Sequence, residues 1–318
     1  MRFAFLGTVI ALLIAFVVGP RPRLLSYKPS DLRLPSDLDA WLEEKEAAFP
    51  LRAGVQKEIQ WARKTREKTS VAFSYLHGFS ASRGEISPVL ENVSKKLRAN
   101  VFFSRLTGHG MDGSALAKVE ARSYIDDGYE ALAVAKRIGE KAILVGTSTG
   151  GAIATWMAGN HAEIDGLVLI SPNFGLKDKN SWILHHPWGV TLAKLLVGPE
   201  RSWDPENPLV AKFWTNRYPL ESLIPMLAVT DDLKAKDLRN ITVPVLVLYT
   251  PHDERVDTSL TEKYFSEIGS SEKEIIRMEN AKHHVLAGDA VSPENNEFVI
   301  SQIIRFTTKL TPQVSQRD

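Results

Sequence analysis

The stretch Gly146-Thr147-Ser148-Thr149-Gly150 puts a hydroxyl between glycines where an apolar run, residues 142–145, gives way to a helical one. A serine at so sharp a strand-to-helix turn has the form of a nucleophile elbow. Residues two before and two after it must be small, or their side chains would collide with the flanking strand and helix. The helix start adds free N–H groups and a positive dipole end close to the serine oxygen. A hydroxyl attacks a carbonyl only if a base takes its proton and an acid orients the base. Asp253, in "VPVLVLYTPHDERV", follows a strand-like run and is the first acid in reach of a sheet edge, with Glu254 and Asp257 as nearby alternatives. Among eight histidines, only His283 and His284 fall in a loop after a late strand and downstream of that acid. His284 is the expected base and His283 a bystander; His252 is close to the acid but precedes it. The oxyanion formed in such an attack needs N–H donors, expected from Thr149 and from Phe79 in "YLHGFSAS". His77 is expected to shape that loop by hydrogen bonding, and His109 to structure its own loop.

Positioning these residues takes a scaffold of alternating strands and helices. Strand signals fall at 71–76, 101–105, 142–145, 167–170, 245–249 and 274–278, with helical periodicity between most of them, as in "SYIDDGYEALAVAKRI" at 123–138. This alternation predicts a mainly parallel central sheet with helices on both faces. A helix is predicted over 36–48, capped by serine. Residues 55–61 and 71–76 read as two strands paired in a hairpin. The interval 176–240 is longer than a crossover needs and holds Trp182, Trp188, Trp203 and Trp214. Its length and aromatic content predict a helical cap over the ligand-binding edge of the sheet.

Taken together, "HGF" at 77–79, "RLTGHG" at 105–110, "GTSTGG" at 146–151 and "VLISP" at 168–172, followed by Asp253 and His284, resemble the α/β-hydrolase family over residues 55–310. Within it the chain looks most like the monoacylglycerol lipase, lysophospholipase and carboxylesterase group, which shares the "GHG" loop and the cap insertion. The resemblance implies an α/β-hydrolase fold and a serine hydrolase that cleaves carboxylic esters of small molecules or lipids through an acyl-enzyme, without metal or organic cofactor. His77 and Gly78 of the oxyanion loop and Trp182, Trp188 and Trp214 of the cap are the residues expected to meet substrate. Thr147 and Thr149 depart from the bulkier residues common there in the family, so they blur the choice of substrate.

The chain has 318 residues, 44% hydrophobic and 24% charged, with net charge +1, so no basic field points to nucleic acid. The absence of cysteine removes thiolate catalysis, disulfides and cysteine-bound metals. "MRFAFLGTVIALLIAFVVGP" is apolar from Phe3 to Gly19 and ends without the small-residue pattern of a cleavage site. It reads as an uncleaved membrane anchor over residues 1–20, with a cleaved signal and a secreted protein as the alternative. Residues 21–54 then form a proline-bearing linker and short helix, and the catalytic domain is expected outside the cytoplasm. Two other activities use the same residues: acyl transfer to an acceptor, and amide or peptide cleavage. A binding protein on an inactive hydrolase fold would be expected to lack a member of the triad, and all three are present.

Overall fold

The apolar runs resolve into nine strands in the computed structural model, which describes residues 2–22, 27 and 32–311. In chain order these are β1 (Glu58–Gln60), β2 (Thr69–Leu76), β3 (Asn100–Phe103), β4 (Gly139–Thr147), β5 (Gly166–Ile170), β6 (Glu200–Ser202), β7 (Arg217–Pro219), β8 (Val245–Tyr249) and β9 (Lys273–Arg277). The α-helices among the described residues are α1 (Arg2–Val18), α2 (Leu38–Ala47), α3 (Val89–Leu97), α4 (Gly113–Leu116), α5 (Ala121–Ile138), α6 (Thr149–Gly159), α7 (Gly189–Val197), α8 (Pro208–Phe213), α9 (Ile224–Leu233), α10 (Thr258–Glu267) and α11 (Asn296–Leu310).

Seven strands form one sheet in the order β1-β3-β2-β4-β5-β8-β9, parallel throughout except for β1 against β3. Successive side chains of a strand point to opposite faces, so each central strand feeds two cores. Ala72 and Leu76 of β2 pack with Ala131 of α5 and Ile153 of α6; Val71, Phe73 and Tyr75 pack with Val93 of α3 and Ile303 of α11. This is the expected α/β-hydrolase architecture. Its register pairs Leu76 with Gly146, Thr147 with Ile170, Ile170 with Leu248, and Leu248 with Ile276. The loops leaving β2, β4, β8 and β9 therefore open at one edge, the carboxyl ends of parallel strands, where α/β sheets bind ligands.

The predicted hairpin does not form. β1 pairs with β3, which lies between β1 and β2, and Ala62 N–H donates to Asn100 Oδ1 at 2.8 Å where the chain leaves β1. Parallel pairing of β2 and β3 through α3 occupies the edge that a hairpin would have used. The predicted first short helix is present as α2, but its N-cap is Asp37, which accepts from Ala40 N–H, and Leu38 and Leu42 enter the first core.

Among the described residues no helix is long and apolar enough to cross a membrane, so the expected membrane anchor finds no support there. α1 has 17 residues, about 25 Å of helical rise against a hydrocarbon core of about 30 Å. Its carboxyl end folds back on the cap: Trp188 donates its backbone N–H to Pro20 O at 2.9 Å and its indole N–H to Ala15 O at 3.0 Å. Gly19 lies so close to the Trp188 ring that a Cβ would come within 2.1 Å of it. Part of the expected linker, residues 23–26 and 28–31, lies outside the described residues. Tyr27 is held to the body, donating its hydroxyl to Asp126 and stacking on Tyr129.

Candidate active site

Ser148 joins β4 to α6 with φ 52° and ψ −113°, a conformation that side chains other than glycine's seldom adopt. Its backbone is pinned from three sides: Ser148 N–H donates to Ile170 O, and Ser148 O accepts from Ala152 N–H and Asn173 N–H. The hydroxyl does not cap the helix. Both flanking glycines answer to close approach. A Cβ on Gly146 would stand 2.5 Å from the Gly150 carbonyl, and one on Gly150 would stand 1.9 Å from Leu76 O.

Asp253 follows β8 and is fully buried. Its Oδ1 accepts the N–H groups of Arg255 and Val256, and its Oδ2 meets His284 Nδ1 at 2.7 Å. Burial works to raise this carboxyl, but the His284 hydrogen bond and charge and the two N–H groups outweigh it, holding the pKa below its ordinary value. Acceptance at Oδ2 requires the proton on Nδ1, so His284 carries its Nε2 lone pair free for another partner. His283 makes no such contact. Of the alternative acids, Asp257 is spent as the N-cap of α10, and Glu254 is exposed. No hydrogen bond joins Ser148 Oγ to His284 among the described residues; such contacts commonly close only when substrate is bound.

The loop after β2 faces the elbow. Gly78 N–H goes to Glu85 and Ser80 N–H to His109 Nε2, while Phe79 N–H, between them, has no acceptor among the described residues. Thr149, as the first residue of α6, likewise has no intrahelical acceptor for its N–H. His77 is fully buried: its Nδ1 donates to Gly78 O at 2.8 Å and its Nε2 accepts Leu106 N–H at 3.0 Å. Gly78 O and Phe79 N–H belong to one peptide plane, so His77 sets the direction of the Phe79 donor. His77 and His109 thus act as loop supports, and burial pushes His77 down to about 4, with the charges of Arg105 and Lys57 adding to it. His109 is held well below the ordinary value by burial and by the adjacent His77.

Glu85 was not singled out by the sequence, because a glutamate nine residues past the end of β2 carries no motif. It is 2% exposed, accepts Tyr75 O–H at 2.7 Å, and burial raises it to about 7 while its hydrogen bonds from Tyr75 and Gly78 pull the other way. Folded Glu85 keeps its proton to about pH 7, whereas an ordinary carboxyl loses it near 4.5, so its stabilising contribution is present below 4.5 and lost as pH rises through 7. That contribution changes by about 2 kcal/mol between roughly pH 5 and pH 7. Glu85→Gln should therefore lose about 2 kcal/mol more than the wild type on acidification across that span. An equal change in both proteins, read by urea unfolding at the two pH values, would refute the assignment.

The cap comprises a 3₁₀ segment (Lys179–His185), α7, the antiparallel pair β6–β7, α8 and α9, so the expected helical insertion also carries a small sheet. It is tied down over the site: Thr215 N–H donates to Ser80 O, Ser82 O–H to Phe213 O, and Asn207 Nδ2 to Ala290 O. The expected substrate-facing tryptophans are dispersed. Trp182 is 61% exposed, Trp188 packs against Gly19, and Trp214 is buried with Ala81, Val210 and Ala290. Beside the loop after β2 stands Tyr218, whose ring is 5.1 Å from Phe79 and 5.8 Å from Trp203.

A family profile described as serine aminopeptidase, S33, matches residues 68–289. The chain is 26% identical over 245 residues to a thermostable monoacylglycerol lipase of Bacillus sp. (strain H-257), covering 76% of this chain and 92% of the relative. Among solved structures it is similar to a chain of the metagenome-derived lipolytic enzymes LipS and LipT, with TM-score 0.62, 21% identity and coverage of 81% and 99%. It is also similar to the Paleococcus ferrophilus monoacylglycerol lipase, with TM-score 0.60, 18% identity and coverage of 80% and 98%. A soluble variant of the Saccharomyces cerevisiae monoglyceride lipase matches with TM-score 0.58, 15% identity and coverage of 92% and 99%.

Proposed function

The chain belongs to the serine aminopeptidase S33 family of α/β-hydrolases, and from that premise we propose that it is a serine hydrolase acting on carboxylic esters, monoacylglycerol-like lipids foremost. Ser148 Oγ attacks the ester carbonyl carbon as His284 Nε2 takes its proton, and Asp253 holds the resulting imidazolium through Nδ1–H. The oxyanion is received by the N–H groups of Phe79 and Thr149, a contribution of about 3 kcal/mol for each donor. Collapse breaks the ester C–O bond, His284 returns the proton to the leaving alcohol, and water repeats the sequence to free the acid. The observation that carries this reading is the 2.7 Å contact of His284 Nδ1 with the buried Asp253, at the same sheet edge as the strained serine and two unpaired N–H groups. The ester preference rests on the similarity to the Bacillus lipase.

The family description names an aminopeptidase, so amide cleavage is the competing activity. Both are tested with the full chain on glycerol monoesters of graded acyl length and on aminoacyl anilides. The expected result is turnover of the esters with an optimum in acyl length and at least about 100-fold lower kcat/KM on the anilides, a gap of about 3 kcal/mol in transition-state binding. Preferred cleavage of the anilides would replace the ester reading with the peptidase one.

A further inference from the structure

We propose that Glu85 is a positioning residue for the oxyanion loop, clamping the Gly78 amide so that the neighbouring Phe79 N–H is aimed at the reaction centre; this rests on the serine-hydrolase reading. Glycine samples both signs of φ almost freely, so a donor carried on the peptide after Gly78 needs external restraint on both of the glycine's peptide planes. The C=O of Gly78 is held by His77 Nδ1–H, and its N–H by Glu85 Oε1. Those two bonds fix the planes on either side of the Gly78 Cα, and with them the direction of the Phe79 N–H.

The same carboxylate reaches the nucleophile from behind. Tyr75 donates to Glu85 Oε1 and its hydroxyl also contacts Thr147 Oγ1 at 2.9 Å, one residue before Ser148. Gly78 sits between the two groups: a Cβ there would be 3.0 Å from Glu85 Oε2 and 3.3 Å from Ser148 Cβ. The backbone around Glu85 completes the contacts. A Cβ on Gly288, four residues past His284, would come within 2.2 Å of Glu85 O, and Asp289 N–H donates to Ser87 O at 2.8 Å. Gly84 lies against the Phe213 ring of the cap. One turn thus touches the oxyanion loop, the elbow through Tyr75, the histidine loop and the cap. Burying a carboxyl is costly unless its acceptors are used, and here one oxygen serves two donors, the Tyr75 hydroxyl at the end of β2 and the Gly78 N–H of the loop that follows.

The test is made on the full chain with Glu85→Ala, Glu85→Asp and Glu85→Gln, reading kcat and KM on a glycerol monoester and inhibition by a trifluoromethyl ketone, which adds to the serine and places an oxyanion in the hole. Glu85→Ala should lower kcat by about 100-fold, the size of one lost oxyanion donor, with KM within about threefold, and weaken the ketone by a matching factor. Glu85→Asp withdraws the carboxyl group by one methylene while keeping its chemistry; it should lower kcat at least about tenfold and serves if the alanine variant does not fold. Glu85→Gln keeps an oxygen at the Oε1 position and should restore kcat to within about fivefold of wild type. Unchanged kcat in the alanine and aspartate variants, ketone inhibition that does not weaken with kcat, or a glutamine variant as slow as alanine would overturn the proposal. Fluorophosphonate labelling of wild type separates the two failures. Without labelling at Ser148 the serine-hydrolase reading falls and this inference with it, whereas labelled Ser148 with unaffected Glu85 variants removes the inference alone.

Discussion

Ser148→Ala is expected to lower kcat for ester hydrolysis by about 10⁴-fold or more while leaving the fold intact. The loss is large because the attacking oxygen, its base and the orienting acid work as one unit, so removing the first leaves only the oxyanion donors and binding. The fold should survive because every bond that Ser148 makes to hold the elbow is through its backbone, and its hydroxyl caps nothing. The glycine variant sharpens the point. With φ 52° and ψ −113°, Ser148 carries strain of about 1–3 kcal/mol, part of which glycine releases. Ser148→Gly should be as inactive as Ser148→Ala and melt at a higher temperature than either alanine variant or wild type. A fluorophosphonate probe should label wild type alone; labelling of another serine in Ser148→Ala, with activity retained, would displace Ser148 from the mechanism.

His284→Ala should match that loss, at about 10⁴-fold or more in kcat, whereas His283→Ala should stay within about threefold of wild type. The two residues are adjacent and chemically identical, so only their contacts distinguish them, and only His284 reaches Asp253. Asp253→Asn should also lose about 10⁴-fold, since an amide at Oδ2 no longer demands the proton on Nδ1 and allows the unproductive tautomer. Near-wild-type turnover by His284→Ala, with His283→Ala inactive, would move the base by one residue and contradict the geometry. Circular dichroism on each variant separates a chemical loss from an unfolded one.

Much of the scaffold is local information. Strand and helix signals lie in periods of two and 3.6, which a short window contains, so the runs that became β2, β4, β5, β8 and β9, together with α2 and α5, are legible without any partner. The elbow is legible for a similar reason: Gly146 and Gly150 are required by backbone approaches of 2.5 Å and 1.9 Å, and a requirement that strict leaves its mark on residue type. The order of serine, acid and histidine follows from which strands carry their loops, and it was readable once the alternation was.

What the sequence could not decide was partnership over distance. β1 and β2 are neighbours in the chain and look like a hairpin, yet β3, which begins at Asn100, well beyond both, takes the place between them because parallel pairing with β2 buries both its faces. The apolar segment at the start of the chain reads as an anchor by composition, and the grip of Trp188 on Pro20 and Ala15 is a property of the folded chain that no local reading supplies. The cap tryptophans look equivalent in sequence, and only packing sends Trp182 to the surface and Trp214 into a buried cluster. Glu85 shows the limit most clearly. A glutamate on its own reads as a solvated charge, and it acquires meaning only where folding encloses it and brings Tyr75 and the Gly78 N–H to one of its oxygens. The chain by itself determined which residues can do chemistry and the order of the elements that carry them, because periodicity, turn sterics and side-chain chemistry are local. Tertiary structure alone brings His284 into contact with the acid and Glu85 against the Gly78 N–H, because burial and hydrogen-bond geometry arise only when distant segments are packed together.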